Sequence, residues 1–392
     1  MRYKPPSSWQ KLAFKDVAEV ITGSTPSTKE PENYGEYLPF VTPGELDLGE
    51  PIIHAETSLS LVGKAKARTV PKDSVLVCCI GSLGKVGITG REVAFNQQIN
   101  ALVFNEKLVC PRYGYHYCRT LKPLLSHMAP STTVAIVNKS RFQSLEIPFP
   151  PLEEQRRIAA ILDKADGVRR KRKEAIRLTE ELLKSTFLEM FGDPVTNPKG
   201  WEICELQNVC NRVTDGTHQP PNWADGGIPF LFVSNIVNGE IDFKVSKHIT
   251  EESWFELTSR CPIEINDILY TTVGSYGNAA LVRTKNRFCF QRHIAHIKPD
   301  SRSIEPEFLL GMMQSDWIRQ QADKQARGVA QKTLNLRELK KFTIFTPPIE
   351  EQKKYVKLRQ GVEKQLSYYR SALEQSENLF NSLLQRAFRG EL

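Results

Sequence analysis

The sequence predicts an α+β protein in which two similar globular segments are separated by a long antiparallel pair of helices. Three observations support this architecture. The chain has 392 residues, enough for two or three domains. A Pro-Pro-x-Glu-Glu-Gln motif occurs twice, at residues 150–155 and 347–352. Each motif is followed by about 40 residues with helical periodicity, which corresponds to roughly 60 Å of helix.

Each motif has the composition of a strand end followed by a helix start. Proline lacks an N–H and therefore ends a strand, and it presets φ for the first turn of a helix. The two glutamates of each motif then lie where the helix dipole favours negative charge. These are Glu153, Glu154, Glu350 and Glu351. We place the domains at residues 1–150, 151–192, 193–348 and 349–392, with the second and fourth as the helices.

The two globular segments have the pattern of a duplication. Trp9 corresponds to Trp201, residues 81–84 to 274–277, and residues 95–98 to 290–293. The offset drifts only from about 192 to about 197 residues, so whole domains are duplicated rather than short repeats.

Strand and helix patterns recur in the same order in both copies. Short apolar runs at residues 74–80 and 268–273 end at glycine and predict strands. Helical patterns follow at residues 113–127 and 306–325. This mixture predicts the α+β class.

The long helical segments carry apolar residues at a spacing near 3.5, which is typical of helices that pair with each other. The alternative is that each helix packs on its own globular segment. A small domain would leave much of so long a stripe exposed, so we favour mutual pairing. Because the second globular segment follows the far end of the first helix, the second helix is expected to run back antiparallel to it.

The composition is moderately basic, with 53 Lys and Arg against 45 Asp and Glu and a formal net charge of +8. This balance favours an acidic partner such as nucleic acid, although a basic protein without such a partner has the same composition. The eight cysteines form no Cys-x-x-Cys pair and no zinc-ligand spacing, so we predict no metal site. Reduced thiols, the lack of an apolar signal core and the lack of a long apolar run favour a cytoplasmic protein without a membrane span.

The order and duplication of these motifs resemble the specificity (S) subunit of type I restriction–modification enzymes, over essentially the whole chain. The segments that carry the resemblance are Trp9, Gly23-Ser-Thr-Pro26, Gly81-Ser-Leu-Gly84, Phe95-Asn-Gln-Gln98-Ile99, the first Pro-Pro motif, Ile158-Ala-Ala-Ile-Leu-Asp163-Lys-Ala-Asp166 and Phe187-Leu-Glu-Met190-Phe191-Gly192-Asp193-Pro194. The second copy departs from the first at residues 215–218 and 291–293, where loops that read different targets are expected to diverge.

The resemblance implies a DNA-recognition subunit without catalytic activity or a cofactor of its own. It implies two target recognition domains, each reading one half of a bipartite, asymmetric sequence in double-stranded DNA. It also implies two adenine-N6 methyltransferase (M) subunits as partners, and restriction (R) subunits in the full complex. We expect the long helices to bind the M subunits, with Phe187 and Phe380 as outward-facing apolar positions unless they lie in the core of the helix pair.

The residues also bear on two other functions. A single-chain modification enzyme is opposed by the absence of an Asn/Asp-Pro-Pro-Tyr stretch and of a glycine-rich S-adenosylmethionine turn. Residues 81–85 lack the spacing of a phosphate-binding P-loop. A scaffold that binds only protein is the second alternative, and salt-dependent DNA binding would distinguish it.

Base edges are read by polar and cationic side chains on loops, so such residues beside the strands are candidates for contact with DNA. In the first copy they are Ser82, Lys85, Asn96, Gln97, Gln98, Thr132, Thr133, Asn138, Lys139 and Arg141. In the second copy they are Thr217, His218, Ser275, Tyr276, Gln291, Arg292, His293, Arg327, Gln331, Lys332 and Asn335. The alternative for each is an ordinary polar position in a strand or turn.

Three histidines and one run of cationic residues need a separate interpretation. His218, His293 and His296 lack a ligand set for a metal, and we interpret them as surface or DNA-facing residues. The cationic run at residues 169–173 is either a phosphate-contacting patch or a solvated helix face balanced by Glu174, Glu180 and Glu181.

Overall fold

The computed structural model describes residue 6 and residues 9–129, 134–237, 239–328 and 331–392. The chain divides into two compact units. Unit 1 contains residues 1–177 and 368–392, and unit 2 contains residues 178–367. This division passes through both long helices, Leu152–Phe191 and Ile349–Ala387, so each unit contains a part of each helix.

Unit 1 is built on two four-stranded sheets and one strand pair. Its strands are β1 (Gln10–Ala13), β2 (Ala18–Thr22), β3 (Tyr34–Val41), β4 (Thr57–Leu59), β5 (Thr69–Val70), β6 (Val75–Cys78), β7 (Val86–Ile88), β8 (Val93–Phe95), β9 (Ile99–Phe104) and β10 (Glu146–Phe149). The sheet β2-β9-β6-β7 is antiparallel throughout. The sheet β4-β3-β8-β5 contains the parallel pair β3–β8, and β1 pairs with β10.

The helices of unit 1 are α1 (Phe14–Val17), α2 (Leu61–Lys66), α3 (Pro111–Cys118), α4 (Lys122–Met128), α5 (Lys139–Gln143) and the first part of α6 (Leu152–Phe191). The single helical pattern predicted at residues 113–127 is therefore two helices. Pro123 lies in the first turn of α4, where its missing N–H costs nothing. Inside a continuous helix it would remove a hydrogen bond and clash with the preceding turn, so α3 ends before it.

Unit 2 repeats most of this topology. Its strands are β11 (Glu202–Glu205), β12 (Cys210–Asp215), β13 (Trp223–Ala224), β14 (Ile228–Leu231), β15 (Ile236–Val237), β16 (Glu240–Ile241), β17 (His248–Ile249), β18 (Ile268–Thr271), β19 (Ala279–Leu281), β20 (Cys289–Phe290), β21 (Ile294–Pro299) and β22 (Thr343–Thr346). The sheet β12-β21-β18-β19 and the pair β11–β22 match those of unit 1, and a β15–β16 pair is added. In the sheet β13-β17-β14-β20 the last three strands correspond to β4-β3-β8, but the fourth strand differs, because β13 pairs with β17 whereas β5 of unit 1 pairs with β8. The predicted duplication and α+β class are confirmed.

The helices of unit 2 are α7 (Glu251–Thr258), α8 (Pro306–Met313), α9 (Asp316–Gln325), α10 (Leu336–Lys340) and parts of α6 and α11 (Ile349–Ala387). The helical pattern at residues 306–325 is again two helices. The Ser315 hydroxyl accepts a hydrogen bond from the Ile318 N–H at 3.3 Å, which caps a new helix.

In unit 1 the long helices pack antiparallel. Arg157 donates to the Leu392 carbonyl at 2.6 Å, while Arg172, farther along α6, contacts Ser376, which is earlier in the sequence. Phe380 is 1% exposed and belongs to one core with Ile158 and Leu162. The expectation that Phe380 faces outward is wrong, because the ring fills the space between α6, α11 and the globular part of unit 1.

In unit 2 an aromatic cluster joins the long helices to the globular part. Phe191 and Phe308 have ring centroids 4.9 Å apart, and Phe187 lies 5.4 Å from Tyr355 of α11. Phe187 is 7% exposed. The expectation that Phe187 faces outward is therefore also wrong. Within the described residues, no helix is long and apolar enough to span a membrane.

The glutamine that ends each Pro-Pro-x-Glu-Glu-Gln motif is completely buried. In unit 1, Gln155 Oε1 accepts from the Cys110 N–H at 2.9 Å, and Nε2 donates to the Leu108 and Pro150 carbonyls at 3.0 and 2.9 Å. In unit 2, Gln352 Oε1 accepts from the Glu305 N–H at 2.8 Å, and Nε2 donates to the Pro347 carbonyl at 2.8 Å. In each motif the glutamine therefore links the start of a long helix to the globular part of its unit through hydrogen bonds.

Candidate nucleic-acid interface

Four segments of unit 1 meet at one end of the sheet β2-β9-β6-β7. They are residues 23–25 after β2, 79–84 after β6, 95–98 before β9 and 134–138 before α5. Gly23 donates its N–H to Ile99 at 3.0 Å, and Gly81 donates to Ala135 at 2.9 Å. Cys79 links two segments, since its N–H donates to the Gln98 carbonyl at 2.8 Å and its carbonyl accepts from Val137 at 2.9 Å.

The turn at residues 81–84 depends on its two glycines. Gly81 and Gly84 both have a φ angle of 75°, a backbone conformation that residues other than glycine rarely adopt. A Cβ on Gly84 would also lie 2.7 Å from Lys122 of α4. The turn thereby leaves Ser82 exposed between its glycines.

The described candidates of unit 1 lie on three of these segments or within three residues of them, and they differ in exposure. Ser82, Gln97, Asn138, Lys139 and Arg141 are exposed. Lys85, Asn96 and Gln98 are half-buried. The remaining two, Thr132 and Thr133, lie outside the described residues.

Several of these side chains are held by local hydrogen bonds. Lys85 donates to the Pro43 carbonyl at 3.2 Å, and Asn96 Nδ2 donates to Gln98 Oε1 at 3.0 Å. Asn138 Oδ1 accepts from the Arg141 N–H at 2.9 Å and so caps α5. Asn138 therefore has a structural role in the turn.

Unit 2 assembles four corresponding segments with different side chains, at residues 216–218, 272–277, 290–293 and 331–335. Gly216 donates its N–H to Ile294 at 3.1 Å, Thr272 donates to His293 at 2.9 Å, and Gly274 donates to Lys332 at 3.0 Å. The exposed candidates here are His218, Ser275, Arg292, Arg327, Gln331, Lys332 and Asn335. The half-buried candidates are Thr217, Gln291 and His293. Burial and the charge of Arg292 hold the pKa of His293 below its ordinary value.

Tyr276 is the most buried of the described candidates for contact with DNA. The residue is only 5% exposed because it packs into the core of unit 2. Its hydroxyl donates to Asp323 at 2.6 Å, and the Arg319 guanidinium lies 4.7 Å from its ring centroid. Arg319 is exposed beside the turn and was missed, since its position on α9 gives no local sequence signal.

Sequence reasoning also missed residues 23–25 and Arg68 as parts of the candidate site. Residues 23–25 carried the resemblance but were not assigned to the site, although the Thr25 hydroxyl donates to Gln97. Arg68 is exposed beside them, and its guanidinium donates to the Thr22 carbonyl at 2.8 Å. Arg68 is 46 residues from Thr22 in sequence, so only the fold brings the two together.

The histidines interpreted as surface or DNA-facing residues have different environments. His218 is exposed, with Nε2 2.8 Å from Asp215 Oδ2. His296 is only 1% exposed, so its interpretation as a surface residue is wrong. Burial of its strand in the sheet places the imidazole between Cys261 and Asp267. The described residues contain no group of side chains that could hold a metal ion.

The cationic run at residues 169–173 packs within unit 1. Arg169 pairs with Asp166 at 2.6 Å, Arg170 with Glu50 at 2.6 Å, and Lys173 with Glu377 at 3.0 Å. Arg172 contacts the Ala372 carbonyl and Ser376. These contacts favour a structural role over a phosphate-contacting patch. Glu174, one of the three glutamates predicted to balance the run, pairs with Arg177.

The chemistry of both assemblies suits the reading of base edges. Amides and hydroxyls offer donors and acceptors, and arginine and lysine offer charged donors. The main-chain hydrogen bonds between segments hold these side chains at the end of a rigid sheet, which is the arrangement that a recognition surface requires.

The comparisons with known proteins agree with this arrangement. The family model described as the type I restriction modification DNA specificity domain matches residues 6–178 and 198–368, once in each half of the sequence. The EcoBI specificity subunit of Escherichia coli is 26% identical, over 98% of this chain and 86% of that protein. The MjaIX specificity subunit of Methanocaldococcus jannaschii is 24% identical, over 99% of this chain and 94% of that protein.

A solved structure has the same fold. The type I restriction-modification S subunit from M. genitalium superimposes with a TM-score of 0.59 at 15% identity, covering 99% of this chain and 98% of that one.

Proposed function

We propose, given that this chain belongs to the family of type I restriction–modification DNA specificity subunits, that its two four-segment assemblies each read one half of a bipartite, asymmetric sequence in double-stranded DNA. The chain is a specificity subunit with two target recognition domains and is not itself catalytic. The assembly of unit 1 supplies Ser82, Gln97, Lys139 and Arg141, and that of unit 2 supplies Arg292, Arg327, Gln331 and Lys332.

The observation that carries this proposal is the repetition of one loop assembly with two different sets of exposed polar side chains. The main chain of both assemblies has corresponding hydrogen bonds, such as Gly81 to Ala135 and Gly274 to Lys332. The side chains differ at corresponding positions, for example Gln97 and Arg292. A shared frame with different donors and acceptors is what reading two different half-sites requires.

We further propose that two adenine-N6 methyltransferase subunits bind the long helices, with restriction subunits joining in the full complex. Each unit exposes apolar side chains on these helices. Val168 and Leu379 of unit 1 are 43% and 57% exposed, and Leu182 and Leu358 of unit 2 are 56% and 52% exposed. Exposed apolar side chains at such positions are typical of protein-binding surfaces.

The test is carried out on the chain assembled with its methyltransferase subunits. Arg292→Ala should relax the preference at one position of one half-site, by about 1–3 kcal/mol, and leave the other half-site unchanged. Sequencing of methylated products from a randomised duplex library gives both half-sites at once.

The matched control is Arg302→Ala, since Arg302 is also an exposed arginine of unit 2, with a side-chain exposure of 85%, and follows β21 instead of preceding it. It should leave both half-sites unchanged. A change in both half-sites with Arg292→Ala, or in neither, would contradict independent reading by the two units.

A further inference from the structure

Cys261, His296 and Asp267 of unit 2 form a chain of hydrogen-bonded side chains. Cys261 Sγ lies 3.4 Å from His296 Nδ1, and His296 Nε2 lies 2.6 Å from Asp267 Oδ2. The His296 and Asp267 side chains are 2% and 6% exposed. The antiparallel pairing of β18 with β21 explains this proximity, because Asp267 precedes β18 and the Ile268–Ile297 register brings it beside His296.

The order of these groups is that of an activated nucleophile, its base and a residue that orients the base. Asp267 accepts from Nε2 and so leaves Nδ1 facing the thiol. Lys298 donates to Asp267 Oδ2 at 2.9 Å, and the Glu264 N–H donates to the same carboxylate at 2.8 Å. The carboxylate is therefore fixed from two further sides and holds the imidazole in one orientation.

The electrostatic environment of Cys261 differs from that of other cysteines in the chain. Burial raises the pKa of its thiol, but the hydrogen bond and charge of His296, with Arg212 and Lys298, outweigh burial and hold this pKa below its ordinary value. Burial is also the largest effect on Cys204 and Cys210, and it raises the pKa of both. Reactivity follows the thiolate, so Cys261 is favoured as the reactive thiol of unit 2.

Cys261 is half-buried and lines a cleft of about 550 Å³. Arg212 and Arg260 line the same cleft, as do Thr217 and His218 of the candidate nucleic-acid interface. A small molecule that reached the thiol would therefore lie against one of the four segments of that interface.

Unit 1 shows that the fold does not need this constellation. The β6–β9 pairing of Val75 with Leu102 corresponds to the β18–β21 pairing of Ile268 with Ile297. The residues before Val75 and Leu102 are Ser74 and Ala101, where unit 2 has Asp267 and His296. Because unit 1 forms the same sheet with a serine and an alanine, the imidazole and carboxylate are a feature of unit 2 alone.

We propose that Cys261 is a nucleophilic thiol that forms a mixed disulfide with low-molecular-mass disulfides, and that this adduct blocks target recognition by unit 2. The Cys261 thiolate attacks one sulfur of the disulfide, the new S–S bond forms as the old one breaks, and the leaving thiolate takes the proton held by His296. The blocking effect rests on the proposed function, because it requires residues 217–218 to face DNA.

The first measurement is of reactivity. The full chain is incubated with oxidised glutathione, and adducts on each cysteine are followed by peptide mass spectrometry over time. Cys261 should react roughly tenfold faster than Cys204, because the lowered pKa of its thiol gives it the larger thiolate fraction. Cys204 is the matched control because it is also half-buried and lies in unit 2.

His296→Gln should remove the difference in reaction rate between Cys261 and Cys204. If that variant does not fold, alkylation of the wild-type chain at several pH values provides a second measurement. The Cys261 rate should reach half its maximum at a lower pH than the Cys204 rate. Asp267, Glu264, Lys298 and Arg212 are the charged side chains that face or flank the pair and shape this profile. Equal rates for the two cysteines would overturn the proposal.

The second measurement is of recognition. The chain assembled with its methyltransferase subunits is treated with oxidised glutathione and tested on its methylation target. Methylation should fall at least tenfold, return with dithiothreitol, and be unaffected in Cys261→Ser. Cys204→Ser should remain sensitive.

Full methylation by a complex carrying the Cys261 adduct would overturn the proposal. A chain that fails to select any target before treatment would instead contradict the proposed function. The two failures are therefore distinguishable.

Discussion

At the scale of single residues, the repeated motif is explained by its glutamine. A neutral amide can donate and accept at once, and Gln155 uses both capacities inside the protein. The motif is visible in the sequence, but sequence reasoning explained it by its prolines and glutamates, which act locally at the helix start. The partners of Gln155 lie up to 47 residues away, so its role becomes visible only in the fold.

Gln155→Glu should destabilise unit 1 by about 3 kcal/mol, because a carboxylate cannot donate to the Leu108 and Pro150 carbonyls and is costly to bury. Urea unfolding followed by circular dichroism measures the change. Glu153→Gln, a change in the same motif at a side chain that is 85% exposed, is the matched control and should cost at most about 1 kcal/mol, through the helix dipole and the exposed pair with Arg156. Equal effects of the two substitutions would contradict the role assigned to Gln155.

Asp163 provides a pH-dependent test in unit 1. Burial alone would raise the pKa of this carboxyl, but hydrogen bonds from His116 at 2.7 Å and from Arg112 outweigh it and lower the pKa to about 2. Because the folded pKa lies below the unfolded value of about 3.9, the carboxylate stabilises the fold above that value. This stabilisation should be lost as the pH falls from about 4 to about 2.

Asp163→Asn should therefore cost about 2 kcal/mol at pH 6, the size of charge-assisted hydrogen bonds, and progressively less below pH 4. Unfolding midpoints in urea at several pH values measure the difference between the variant and the wild type. Glu106→Gln alters an exposed carboxylate of the same unit and serves as the control. A difference that stays constant down to about pH 2 would contradict the linkage.

At the scale of elements, local signals predicted more than long-range ones. The starts of α6 and α11 follow from proline and acidic residues, and β6 and β18 lie within the predicted apolar runs. The break between α3 and α4 was missed although Pro123 marks it, because the apolar spacing continues across the break. The chain of Cys261, His296 and Asp267 joins residues that are 29 and 35 positions apart, and sheet register brings them together.

The sequence also did not predict which face of each long helix is buried. Two neighbouring positions on α11 test the observed packing. Phe380 is 1% exposed, and the Arg119 and Arg169 guanidinium groups lie 4.5 and 4.8 Å from its ring centroid. Phe380→Ala should cost about 3–5 kcal/mol through loss of burial and a remaining cavity. Leu379→Ala, at a side chain that is 57% exposed, should change stability by less than about 0.5 kcal/mol.

Thermal and urea unfolding of both variants provide the comparison. If Leu379→Ala is the more damaging change, α11 is rotated relative to the packing described for unit 1. Loss of methyltransferase binding in Leu379→Ala without loss of stability would separately support the proposed docking surface.

At the scale of the whole molecule, the duplication gives one chain two recognition frames with independent side chains. Both frames conserve the glycine turn and the main-chain hydrogen bonds of the four segments. Substitutions among the exposed side chains leave these bonds intact, so one half of the target can change while the other half and the fold are retained. Under the proposed function, divergence of the two copies at the exposed positions explains why the target is asymmetric.

We expect the length of the long helices to set the number of base pairs between the two half-sites. The division between the two units falls within both helices, after Arg177 in α6 and after Ser367 in α11. Seven residues inserted at both points preserve the spacing of the apolar stripe and the internal contacts of each unit. They add roughly 10 Å of helix, equal to about three base pairs at the rise of about 3.4 Å along a DNA strand.

The preferred number of unread base pairs between the half-sites should therefore increase by a few, while both half-site sequences stay the same. Methylation of a duplex library with variable spacers by the assembled complex measures the preference, with the unmodified chain as the reference. Seven residues inserted in α6 alone should disrupt pairing with α11 and reduce assembly, which separates helix length from helix damage. If the doubly extended chain assembles and keeps the original spacing, the helices do not set the distance between half-sites.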